Sequence, residues 1–163
     1  MADYTTHSFE GAIKHLAAVI EAALPAKLIE MNQRWNDFVL APVKKVYVEA
    51  ADSNVVTPCV FIMEEQSPID NRGSEIMNMR YGILAGALDV PRASGTAQQV
   101  SSLWRYRQAI IEIVSANRVG NEPYWSSAFL GGFEPIPTFR LHENSPYLFG
   151  KAVHFQFTAE IKF

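Results

Sequence analysis

The side chains in this chain that could do chemistry are few and scattered. The histidines are His7, His15, His142 and His154. No two of them have a metal-ligand spacing, and no His-Glu-x-x-His run occurs. His154 falls on the polar side of an alternating segment and reads as an ordinary surface histidine. The one cysteine, Cys59, enters an apolar run, where a thiol acts as a small hydrophobe. A nucleophilic cysteine would need an electropositive, accessible setting. Glu64 and Glu65 are adjacent, so on a strand they point to opposite faces and read as a solvated strand end. No glycine-rich turn leads into Gly-Lys-Ser/Thr, and there is no Gly-x-Ser-x-Gly elbow. Trp104-Arg105-Tyr106-Arg107 mixes stacking and cationic groups of the kind that hold bases. Neighbours on a helix point about 100° apart, however, and cannot make one platform. The helical stripe assigns Trp104 to the core and Arg105 to the outside. Met63, Met77 and Met79 read as core filler. No catalytic, cofactor-binding or metal-binding residue is assigned, and no reaction follows from the residues alone.

Composition narrows the classes further. A chain of 163 residues is one domain by size, long enough for a real core. The formal net charge of −3 argues against nucleic-acid binding through a basic field. A lone cysteine excludes an internal disulfide and fits a reducing compartment. No basic segment followed by an apolar run opens the chain, and no stretch approaches the roughly 18 apolar residues of a membrane span. A cytoplasmic protein is therefore expected. Charged residues make up 19% and aromatics 12%, which leaves few charges to cover the surface and favours a surface partly used for contacts.

The elements that would position these residues follow from periodicity. Phe9, Ile13, Leu16, Ile20 and Leu24 mark one face of a helix over Ser8–Trp35, capped by Ser8. Pro25 is expected to kink it or start a second piece, with Leu28, Ile29 and Met31 continuing the apolar side. Lys44–Ala50 reads as a short strand with Val46 and Val48 on one parity, and Pro58–Glu64 as a buried strand. A loop over Pro68–Gly73 leads into a long strand, Ser74–Val90, covered on both faces from Ile83 to Leu88. Gly82 and Gly86 would mark a bulge or bend in it. Thr96-Ala97-Gln98-Gln99 is a capping box opening a second helix. Its stripe is Val100, Leu103, Trp104, Ile110, Ile111 and Val114. Arg107 interrupts that stripe, either snorkelling or paired with a carboxylate. One or two strands are expected near Pro123–Gly131 and Thr138–Leu141. The last twelve residues alternate strictly, with Val153, Phe155, Phe157, Ala159, Ile161 and Phe163 on the apolar side. An apolar pattern that runs to Phe163 suggests an end tied into a sheet or against a partner. The sum is an α+β domain over residues 1–163: a mixed or antiparallel sheet with two main helices on one face.

This order of elements resembles the tail terminator, or tail-completion, proteins of long-tailed double-stranded DNA phages. The residues that carry the resemblance are the amphipathic first helix with its Leu24-Pro25 break and Val60-Phe61-Ile62 after a proline. The long strand, the capped helix and the terminal His154–Phe163 strand complete it. The resemblance spans most of the chain and implies a structural virion protein with no catalytic residue and no cofactor. It implies a homo-oligomeric ring, usually a hexamer, on the last tail-tube ring, assembled in the host cytoplasm. Its partners would be the tail-tube protein, neck or connector proteins and, where present, a sheath. DNA would pass through without sequence-specific binding. Two segments are candidate contact regions, with Ile69, Asn71 and Arg72 in one. The other holds Tyr124, Trp125, Phe133 and Phe139, with Tyr147 and Phe163 further along the chain. Another head–tail connector protein fits the same resemblance. A small enzyme or ligand-binding α+β domain would require convergent polar residues that the sequence does not display.

Overall fold

The computed structural model describes residues 8–49, 55–65, 76–92, 96–141 and 143–162. Two helices, α1 (Phe9–Trp35) and α2 (Thr96–Ala116), cover one face of a five-stranded sheet. The strands are β1 (Lys45–Val48), β2 (Cys59–Glu64), β3 (Ile76–Asp89), β4 (Ser127–Phe139) and β5 (Leu148–Lys162). Their order is β1-β2-β3-β5-β4, with β1 parallel to β2 and every other pair antiparallel. This is the expected α+β class with a mixed sheet.

Helix α1 begins as its sequence predicts: the Ser8 hydroxyl accepts from the Gly11 amide at 3.0 Å. It does not divide at Pro25. Leu24 and Leu28 are buried on either side of the proline, and packing holds both halves on one core face. Ile29 leaves that face and is exposed. In β1 the buried residue is Tyr47, not its neighbours Val46 and Val48, because Tyr47 packs with Cys59, Phe61, Leu88, Leu148 and Ala152 on the sheet face away from the helices. Helix α2 turns Leu103, Tyr106, Ala109, Ile110, Ile113 and Val114 inward. The Tyr106 hydroxyl donates to the Ala41 carbonyl at 2.7 Å. The Thr96 side chain of the expected capping box lies outside the described residues. The Gln99 amide donates to Asp89 and to the Val90 carbonyl, and its oxygen accepts from the Arg92 amide. Gln99 thus clamps the end of β3 onto α2.

Strand β5 lies inside the sheet, between β3 and the edge strand β4. Val153, Phe155, Phe157 and Ala159 are buried beneath the helices, as the alternation predicts, while His154 and Gln156 face the other way. Phe163 lies outside the described residues, as do Ile69, Asn71 and Arg72. Ile83–Leu88 is covered on both faces, with Leu84 only half-buried. The glycines of β3 do not make a bulge, since its register with β5 is continuous from Ile76 to Asp89. Gly86 serves a close approach instead: a Cβ there would stand 2.6 Å from the Lys151 carbonyl oxygen and 2.7 Å from Ala152 Cα. Gly86→Val is therefore expected to lower the unfolding free energy by about 3 kcal/mol through overpacking. Urea denaturation followed by circular dichroism measures this, and a variant as stable as the parent would contradict the β3–β5 register.

Of the one or two strands expected over residues 123–141, a single long one forms, β4 from Ser127 to Phe139. β4 keeps its pairing with β5 across two register shifts, between Leu130 and Gly132 and between Ile136 and Phe139. It lies at the sheet edge, the position that tolerates Pro135 and Pro137. No helix among the described residues is long and apolar enough to cross a membrane.

Candidate assembly surface

The β4 edge of the sheet carries most of what is apolar and exposed around it. Phe129 is 60% exposed, Leu130 51% and Phe133 58%. The register places Phe133 opposite Val153, on the helix-covered face, and Phe129 opposite Gln156, on the open face. The bulge at Gly131–Gly132 separates them. Gly132 has φ +159, and a Cβ there would meet nothing within 4 Å. On the helix side, Phe133 joins Trp35, Trp104 and Arg107 along an open groove of about 370 Å³. The Arg107 guanidinium lies 4.6 Å from the centre of the Phe133 ring. Arg107 thus neither pairs with a carboxylate among the described residues nor runs free; it is half-buried against an aromatic face. That burial lowers its pKa from the ordinary arginine value.

The orientation of α2 at this groove reverses the expectation. Trp104 is 51% exposed, while Arg105 is buried. Arg105 is covered by the rings of Trp35 and Phe38, 5.1 and 4.1 Å from its guanidinium carbon. It makes two parallel 2.7 Å hydrogen bonds to the Asp37 carboxylate. Arginine can turn inward here because the turn after α1 supplies both the anion and the aromatic lids. Trp104 is left outside because the true core spacing runs Leu103, Tyr106, Ile110 and Ile113. Next to this pair, Glu112 of α2 accepts from Arg34 and Lys27 of α1 and from Gln108.

These charge pairs give the helix layer an acid sensitivity. The Arg34 guanidinium beside Glu112 holds its carboxyl down at about 2, and Arg105 does the same to Asp37. Both folded values lie below the ordinary carboxylate range, so the pairs stabilise the fold fully above about pH 4.5. That stabilisation is lost as pH falls from there towards 2. Urea melts at pH 7, 4, 3 and 2.5 should show a steady drop in stability, and Glu112→Gln should flatten it. An unchanged slope in the variant would count against this pairing.

The sequence-derived contact residues divide sharply. Phe133 lies on the exposed edge, and Tyr147 is 51% exposed with Arg140 over its ring at 4.4 Å. Phe139 is half-buried and packs with the small cluster around Tyr47 and Phe61. Tyr124 is half-buried, stacked on His15 at 3.9 Å, and its carbonyl accepts from Tyr81. Trp125 is a core residue and not a contact. It is fully buried, its indole packs on Phe157, and its N–H donates to the Asn117 carbonyl at 2.9 Å. The resemblance implied a contact segment here, but the Asn121–Trp125 turn folds inward over His15 of α1. Phe129, Leu130 and Trp104 belong to the exposed set and escaped the sequence reading. The 103–106–110–113 spacing carries the signal for Trp104, once Tyr106 is counted as apolar. Cys59 behaves as expected: buried, with its thiol pushed up to about 12 by that burial.

A second grouping lies on the open face. Glu65, just past β2, and Glu134 of β4 flank His154 of β5. The Glu65–Glu64 pair was read as a solvated strand end and His154 as a lone surface residue, so this convergence was not foreseen. It joins residues far apart in sequence, and only the strand order brings them together.

No protein-family model matches the chain, and no curated protein matches it.

Proposed function

We propose that this chain is a ring-forming structural protein of the tail-terminator kind. In this reading it sits at the head-proximal end of a phage tail, ends tube polymerisation and joins the tail to the neck. The observation that carries the reading is the apolar band on the β4 edge, Phe129, Leu130 and Phe133, with Trp104 beside it. Aromatic residues of this kind are the usual anchors of protein interfaces. Pro135 and Pro137 blunt backbone pairing along the same edge, so contact there runs through side chains. The sheet ends in two unlike edges, β1 and β4. A surface at one edge that meets a different surface on the next copy gives a head-to-tail contact, the kind from which a ring is built when the rotation between copies closes.

The partners in this reading are further copies of the chain, the tail-tube protein and the neck or connector proteins. A sheath is added for a contractile tail. DNA passes through without being read, consistent with a net charge of −3. The virion is the final location, and the reading assigns no catalytic residue. The test is to add the purified protein to tail tubes and image them by negative stain. Rings at tube ends with halted elongation are expected. Binding to connector rings without capping would make it a neighbouring neck protein instead, and binding to neither would overturn both.

A further inference from the structure

We infer that Glu65, Glu134 and His154 form a binding site for one divalent transition-metal cation on the open face of the sheet. The three side chains come from three places in the fold: the end of β2, β4 and β5. One donor atom from each can be chosen so that all lie within 4.8 Å of one another. His154 Nδ1 is 2.5 Å from Glu65 Oε1, and His154 Nε2 is 2.6 Å from Glu134 Oε2. The group is half-buried, with side chains 28–44% exposed. One imidazole nitrogen and two carboxylates make the mixed N/O donor set that suits Zn²⁺ or Mn²⁺.

The backbone prepares this convergence. β3 lies between β2 and β5, so Glu65 must cross it to reach His154. It crosses at Gly82, where its own amide donates to the Gly82 carbonyl at 2.9 Å. A Cβ on Gly82 would stand 3.1 Å from Glu65 Cβ and from Glu65 Oε2. Any larger residue would push the carboxylate off its path. On the other side, Gly132 is the cross-strand partner of His154 and leaves open space beside the ring. Glu134 stands two residues further along β4 and faces the same way. The missing side chains on both flanks form a shallow cup whose walls are the two carboxylates.

Within the trio itself, charge and proton count favour a cation. A neutral imidazole has one N–H and can donate to only one of the two carboxylates. With neutral histidine the trio carries two negative charges, and even imidazolium leaves one. A divalent ion neutralises both carboxylates while the imidazole binds it as a neutral ligand, and it leaves a position open for water. The two carboxylates now lie on opposite ring nitrogens, Glu65 on Nδ1 and Glu134 on Nε2. An ion takes one of those nitrogens, with donors about 2.0–2.2 Å from it, so binding opens both short contacts and swings the carboxylate on the other nitrogen round to the ion.

The test uses the full chain, stripped with a chelator and titrated calorimetrically with ZnCl₂ in a weakly coordinating buffer. One equivalent should bind, and Glu134→Gln and His154→Gln should each weaken binding at least tenfold. No heat with the parent protein, or equal affinity in both variants, would overturn the assignment. Circular dichroism establishes that the variants are folded. A second measurement needs no variant: Mn²⁺ should broaden the amide signals of Glu65, Gly132 and His154 ahead of all others. Broadening centred elsewhere would also overturn the site.

Discussion

Trp125→Ala is expected to lower the unfolding free energy by about 4 kcal/mol, the range for deleting a large buried aromatic. The side chain is 0% exposed. Its ring meets Phe157 edge-on at 5.0 Å and lies tilted on His15 at 5.1 Å. Phe157 in turn stacks on Tyr81, so one ring removed loosens a chain of aromatic contacts between α1, β3 and β5. The indole N–H also bonds the Asn117 carbonyl at the end of α2, which fixes the turn that leads into β4. Trp125→Phe keeps most of the ring and loses the hydrogen bond, so it should cost about 1–2 kcal/mol. Urea melts followed by far-ultraviolet circular dichroism give both numbers. Because the residue is internal, the loss should not depend on protein concentration. A Trp125→Ala protein of parental stability but impaired assembly would return this residue to the surface.

Phe133→Asp should do the opposite: spare the fold and abolish self-association. The ring is 58% exposed, so its loss from the monomer removes little burial. Arg107, which lies over it, would gain a carboxylate in exchange for a ring face. At the centre of an interface an aromatic anchor contributes at least about 2 kcal/mol, or roughly 30-fold in affinity per contact. A buried carboxylate in its place adds a desolvation cost. Every contact in a ring carries this loss, so assembly should fail altogether. The readouts are the melting temperature, expected within a few degrees of the parent, and the mass in solution. Trp104→Asp should behave in the same way.

Local patterns in the sequence predicted most of the fold because each strong element agrees with its surroundings. The alternation of β5 survives intact because it lies between two strands under two helices, where parity decides burial. Ser8 caps α1 because its hydroxyl needs only the Gly11 amide three residues on, a partner supplied by the helix itself. The failures occur where a distant partner outbids a local rule. Gln99 takes on a tertiary role because Asp89 and Val90 offer it hydrogen bonds from the end of β3. Arg105 turns inward, and Trp104 outward, because Asp37 and two aromatic rings await the guanidinium. No helical-wheel argument can see those partners. The candidate surface was half legible. Phe133 and Tyr147 stood out as aromatics among turn residues, but Trp125 shared that setting and is core. The Glu65–Glu134–His154 grouping was invisible, since it depends on strand order and on a glycine that lets one side chain cross a neighbouring strand.

In the proposed function this protomer closes into a ring through its aromatic sheet edge. Sedimentation velocity on the full chain from about 1 µM to 1 mM, with negative-stain imaging of the same samples, tests it most directly. A discrete closed species about six times the 18.2 kDa protomer, seen as rings, is expected, and it should be absent in Phe133→Asp. A monomer at every concentration, or an assembly unaffected by Phe133→Asp, would contradict it.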